Sequence, residues 1–161
     1  MMRGLALAVC ALAATQASAR DSLGVFNNWG AFRDAQPQRC FAIAEPSRST
    51  TGQWRPFASV AHWPGARVRS QLHIRLSREK RGDAPVTLAI DDRRFNLSGA
   101  GGDVWAIDAR TDAAIVAAIR SGRSMSVATV SAKGNAFADS YALKGAATAI
   151  DAAALGCVTR R

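Results

Sequence analysis

Two histidines, one tyrosine, three cysteines and three lysines are all that the 161 residues hold of those types. His62 and His73 stand eleven apart, with no H-x-x-x-H spacing and no Cys/His cluster, which argues against a zinc site. No G-x-S-x-G elbow occurs, so the commonest serine-hydrolase signal is absent. Asp83, Asp91, Asp92 and Asp103 lack the spacing of a calcium loop. Gly99-Ala100-Gly101-Gly102 lacks the following Lys-Ser/Thr of a phosphate loop and reads as a turn between strands. No cofactor is expected from any of these patterns. No apolar run reaches the roughly 18 residues that a membrane-spanning helix needs, and neither a collagen repeat nor a coiled-coil heptad pattern is present. A hydrophobic share of 48% with 20% charged residues sets the chain apart from disordered sequences.

The N-terminus reads as an export address. Arg3 supplies a positive start, Leu5 to Ala14 an apolar run, and Ala17-Ser18-Ala19 an A-x-A cleavage site, in the order of a signal peptide. Cys10 follows the bulky Val9, whereas a lipid-attachment cysteine normally follows a small residue. Removal of residues 1–19 would leave 20–161 as one domain, long enough to bury a core. A periplasmic or secreted location follows from that reading. The two cysteines left, Cys40 and Cys157, then read as one disulfide, because the close C-x-x-C spacing of a reactive thiol pair is missing.

Periodicity predicts a mainly-β protein. In Arg67 to Ser77, Val68, Ser70, Leu72, Ile74 and Leu76 take one parity, while Arg67, Arg69, Gln71, His73 and Arg75 take the other. A period of two gives one buried and one wet face, as in antiparallel sheets. Val86, Leu88 and Ile90, an Asp91-Asp92 turn, then Phe95 and Leu97 predict a hairpin. Met125 and Val127, a Lys133-Gly134-Asn135 turn, then Phe137, Tyr141 and Leu143 predict a second. Arg39 to Glu45 and Phe57 to Trp63 read as strands covered on both faces. Thr111 is placed as the cap of a helix bearing Ile115, Val116 and Ile119 and ending at Gly122. An Ala-rich helix over Ala146 to Leu155 would turn Ile150 and Ala154 inward, with Gly156 as its stop. The expected fold is an antiparallel β-sandwich with two short α-helices.

The formal charge is +9, or +8 without the signal, and all basic residues but Lys80, Lys133 and Lys144 are arginines. Arg67, Arg69, Arg75, Arg78, Lys80 and Arg81 fall within fifteen residues, offset only by Glu79. A basic strand of that kind can contact several anionic groups. It also suits a solvated strand face whose charges deter edge pairing. The partners expected are anionic envelope components or a protein, with no specific nucleic acid. Arg81-Gly82-Asp83 spells an adhesion tripeptide, but Gly-Asp is ordinary turn chemistry. Trp29, Trp54 and Trp63 could stack on a ligand or pack in the core. His62 and His73 are the only imidazoles from which a hydrolase with a dispersed site could be built. That hydrolase is the alternative to a non-catalytic binding module.

Several segments resemble the invasion-associated locus B family, exported proteins of alphaproteobacteria. Asp112 to Gly122 looks like the family's short helix and Met125-Ser126-Val127 like the strand after it. Tyr141-Ala142-Leu143-Lys144-Gly145 looks like its closing Leu-x-Gly segment, and Trp29 and Cys40 resemble its opening tryptophan and cysteine. The resemblance covers most of residues 28 to 157. Two features depart from the pattern: Gly101 to Arg110 lacks a cysteine pair, and Ala146 replaces an aromatic after the closing glycine. The resemblance implies an exported β-sandwich without catalytic residues, linked in pathogenic members with host-cell invasion.

Overall fold

A computed structural model describes residues 20–48 and 54–158. The signal-like segment, residues 1–19, lies outside them. The strands are β1 (Arg20–Phe26), β2 (Trp29–Asp34), β3 (Arg39–Ala44), β4 (Phe57–Trp63), β5 (Val68–Arg75), β6 (Val86–Ile90), β7 (Arg93–Ala100) and β8 (Asp103–Ala106). Helix α1 (Ala109–Ser121), β9 (Ser124–Val130), β10 (Ala136–Ala142) and α2 (Ala146–Gly156) complete the order. All strands belong to one antiparallel sheet in the order β1-β2-β3-β4-β5-β8-β7-β6-β9-β10. The mainly-β antiparallel class is as expected, and its sandwich-like layering comes from one continuous sheet that curls over. At the seam, Ser47 and Arg48 donate their backbone N–H groups to the Ser140 carbonyl, and Ser140 returns one to Arg48. The Trp29 indole N–H donates to the Ala142 carbonyl at 3.0 Å. The far edge of the sheet thus meets the segment after β3 without a continuous ladder closing it.

The period of two explains most of the strands. Val86, Leu88 and Ile90 turn to the core from β6, Met125 and Val127 from β9, and Phe137 and Tyr141 from β10. Leu72, Ile74 and Leu76 do the same from β5 and the residue beyond it. Each fully buried aliphatic side chain contributes about 1.5–3 kcal/mol, so these rows hold the sheet together. Strands β3 and β4 are buried on both faces, as their mixed apolar runs predict. One face of β3 is covered by α2 through Cys40 and Ala42. On the other, the guanidinium groups of Arg20 and Arg39 lie 5.1 and 4.3 Å from the Phe41 ring centroid. Alanines on both sides let α2 lie close to the sheet: Ala31, Ala42 and Ala58 face Ala146, Ala149 and Ala153 in a single core.

Both helices start or face slightly differently from the expectation. Helix α1 is capped by Asp108, not Thr111, because the Asp108 carboxylate accepts the Thr111 backbone N–H at 2.7 Å. In α2 it is Ala153, with Ile150, that turns inward; Ala154 is half-buried. Asp112 fixes α1 to the sheet by accepting the Leu72 backbone N–H at 2.8 Å. Burial raises its carboxyl above the usual carboxylate range.

Candidate functional site

Strand β5 carries most of the expected site, and its two ends differ. At its start, Pro64–Ala66 form a 3-10 turn and Arg67 takes a left-handed conformation, φ 55°. The strand then bulges. Between the pairs Trp63↔Val68 and Ala61↔Gln71 lies one residue on β4, His62, and two on β5, Arg69 and Ser70. Ser70 has φ 57°, so its N–H is aimed out of the ladder. That N–H donates to Nδ1 of His62 at 3.3 Å. An accepting Nδ1 places the ring proton on Nε2. Nε2 is itself buried and has no hydrogen-bond partner among the described residues. Burial, and after it the charge of Arg69, holds the imidazole below its ordinary pKa of 6.5.

The other wall of this region comes from α2. Cys40 on β3 is disulfide-bonded to Cys157, across 117 residues of chain. Cys40 pairs with His62 across β3 and β4, so the bond sets the end of α2 beside His62. Between the start of β5 and this helix end lies a cleft of about 740 Å³. His62, Arg67, Arg69 and Ser70 line one side, and Leu155 and Val158 the other. Arg67 and Arg69 are exposed, and neither has a carboxylate partner among the described residues.

At the far end of β5 the basic side chains have a carboxylate partner, although Nε of Arg75 is buried without a hydrogen bond among the described residues. Asp103 on β8 lies opposite Arg75, and Trp105 opposite His73. The Asp103 carboxylate is 2.8 Å from Nε2 of His73 and 3.6 Å from the Arg75 guanidinium. Trp105 stacks on the His73 ring at 4.9 Å with 5° between planes, and Phe57 meets it edge-on at 5.2 Å. Arg75 also lies over Trp54, 5.4 Å from the ring centroid.

The basic residues beyond β5 diverge further. Arg78 is half-buried and lies 6.0 Å from the Phe137 ring centroid. Lys80 is buried, and its ammonium donates to the carbonyls of Arg81 and Gly82 at 3.0 and 2.8 Å. Arg81 is paired with Asp83 at 2.8 Å, so the charges of the adhesion-like tripeptide close on each other. Of the six basic positions, the structure brings only Arg67 and Arg69 together on one open cleft. The three tryptophans read from the sequence as candidate stacking residues do not share a site either. Trp29 is wholly buried, Trp54 lies under Arg75, and Trp63 lies 5.0 Å from the Arg39 guanidinium.

Two contributors, Asp103 and Trp105, were not singled out from the sequence as partners of β5. Their signal is the alternation Asp103-Val104-Trp105-Ala106 directly after a glycine turn. Neither imidazole is hydrogen-bonded to a hydroxyl among the described residues. No group of three or more His, Cys, Asp or Glu residues that could hold a metal occurs among them either. The cleft can therefore offer two cations and apolar contact, and one of its lining residues, His62, holds the buried, unpartnered Nε2.

No family model matches the chain, and no curated protein matches it. Among solved structures, the crystal structure of invasion-associated protein B from Bartonella henselae superposes with a TM-score of 0.56. It is 16% identical, and the match covers 83% of this chain and 96% of that one. At that identity the likeness is one of fold, and it agrees with the fold that the sequence resemblance implies.

Proposed function

We propose that this chain is an exported envelope protein that binds anionic material through the Arg67–Arg69 end of β5 and catalyses no reaction. The observation that carries the reading is two exposed guanidinium groups without carboxylate partners among the described residues, lining a cleft whose helix wall is tied by a disulfide. The disulfide supports an oxidising compartment outside the cytoplasm, as does the signal-like order of residues 1–19. The solved structure that shares the fold is named for invasion, and a role at the bacterial surface is in keeping with that.

The test has two parts. Intact mass of the protein from fractionated cells should show a periplasmic or secreted chain beginning at Arg20, whose thiols appear only after reduction. The purified chain should sediment with envelope fractions at low salt and be released at high salt, because exposed charges are screened. Arg67→Glu/Arg69→Glu should abolish that sedimentation, while Lys133→Glu on the exposed β9–β10 turn should leave it unchanged. Sedimentation that survives the double reversal would remove this reading.

A further inference from the structure

We infer that the cleft between the start of β5 and the end of α2 binds an amphiphilic carboxylate of the fatty-acid type. Its head would meet Arg67, Arg69 and the Nε2–H of His62, and its chain would cover Leu155 and Val158. The inference rests on the anion-binding reading above and assigns that site its ligand class.

Three independent features converge on this chemistry. The first is the orphaned donor. His62 is 9% exposed, lines the cleft, and has Nε2 buried without a partner. A buried N–H left unsatisfied is costly, so an acceptor oxygen that reaches Nε2 from the cleft, by a small shift of its lining, removes that penalty. Because Nδ1 already accepts from Ser70, that donor is neutral and fixed in direction.

The second is charge. Two arginines without carboxylate partners among the described residues line the same cleft as His62, and a planar carboxylate suits the guanidinium fork.

The third is the opposite wall. Leu155 is 72% and Val158 65% exposed, two of the five exposed large hydrophobic residues among those described. Exposed apolar side chains bordering a cleft favour a ligand with an apolar body. A free inorganic anion would leave that wall uncovered, and an uncharged chain would leave the cations and the N–H unused. A volume of about 740 Å³ lies within the range of sites that bury small organic ligands.

The experiment is calorimetric titration of the purified chain with dodecanoate below its micellar range, with dodecanol and inorganic phosphate as comparators. Dodecanoate is expected to saturate at one per chain and to bind at least about tenfold more tightly than either comparator. Arg67→Gln/Arg69→Gln should weaken it by about tenfold or more without lowering the melting temperature, since both side chains are exposed. His62→Gln offers an amide acceptor to Ser70 and an amide donor to the ligand, and should keep affinity within about threefold. His62→Leu should lose about tenfold. If His62→Leu does not fold, the arginine pair and the imidazole resonances decide. Long-range proton–nitrogen spectra should show His62 as the Nε2–H tautomer, with that nitrogen shifting on titration.

Equal binding of dodecanol or phosphate, an unchanged Arg67→Gln/Arg69→Gln variant, or an unmoved His62 resonance would each overturn the assignment. Displacement of dodecanoate by phosphatidylglycerol vesicles would overturn the carboxylate head in favour of a lipid phosphate. If dodecanoate does not bind yet the double reversal still releases the protein from envelope fractions, this inference falls and the broader reading stands. If dodecanoate binds and envelope association ignores the reversal, the broader reading falls.

Discussion

The two ends of β5 carry the same kinds of residue and reach opposite states. Both hold arginine and sit beside a histidine on the neighbouring or same strand. At the far end, β8 delivers Asp103 and Trp105 in register, so His73 and Arg75 gain a carboxylate and aromatic faces. At the near end no strand pairs beyond β4. A bulge breaks the ladder, and the neighbour is the end of a helix whose side chains are apolar. Among the described residues the Arg67 and Arg69 charges therefore find no carboxylate, and one ring nitrogen of His62 finds no partner. What a cluster of arginines becomes depends on the element that comes to lie beside it, which a local reading of charge does not contain.

The comparison can be broken in several ways. The largest effect should come from Cys40→Ala/Cys157→Ala. Opening a loop of this length costs about 4–5 kcal/mol in the chain-entropy model. Urea unfolding of the wild-type and doubly substituted chains checks it. The loss should also free the end of α2 and abolish binding at the near end, while the His73–Trp105 stack at the far end stays intact.

Asp103→Ala should make the far end resemble the near end. It removes the carboxylate shared by His73 and Arg75, both partly exposed, and should cost about 0.5–1 kcal/mol. Because a free Arg75 joins the open cations, salt-sensitive sedimentation with envelope fractions should strengthen. An unchanged salt profile would show that pairing does not silence this end.

The third prediction is pH dependence at the near end. Burial depresses the folded pKa of His62, so the unfolded chain binds its proton more readily. Stability should therefore fall as pH drops below 6.5, until the folded imidazole also takes its proton. His62→Gln should flatten that segment of the curve, and chemical unfolding across pH 4 to 7 reads it. The smallest effect on stability should be that of Arg67→Glu/Arg69→Glu. Exposed side chains without partners typically shift stability by less than about 0.5 kcal/mol. A larger drop in melting temperature would mean that these arginines are structural and not held for a ligand.

Much of the fold was legible where one face is buried and the other wet. The alternations at Val86–Ile90, Met125–Val127 and Phe137–Tyr141 gave β6, β9 and β10 because each strand has one core face. Strands β1 and β2 gave no such signal. β1 is an edge strand with mostly exposed or half-buried residues, and β2 mixes glycine and charge with Trp29. Strand β8 is only four residues long, so its alternation of Asp103-Val104-Trp105-Ala106 is a weak signal that does not say which strand it pairs with. At the site, proximity in sequence grouped Arg67 through Arg81, but the strand ends after Arg75 and the chain turns inward. Lys80 is buried there because two carbonyls satisfy its ammonium. The bulge at Arg69–Ser70 was equally hidden: a left-handed serine leaves no mark in the residue pattern.

The Cys40–Cys157 bond joins residues 117 positions apart. A chain that emerges N-terminus first therefore presents Cys40 well before its partner Cys157 is made. The sheet can assemble in that interval, but the helix that walls the cleft cannot be locked until the last strand and α2 have arrived. The end of the molecule that carries the cleft is thus the last part to become covalently fixed. An oxidant that reaches Cys40 early, or a chain cut before Cys157, leaves a folded sheet whose cleft wall is not tied down.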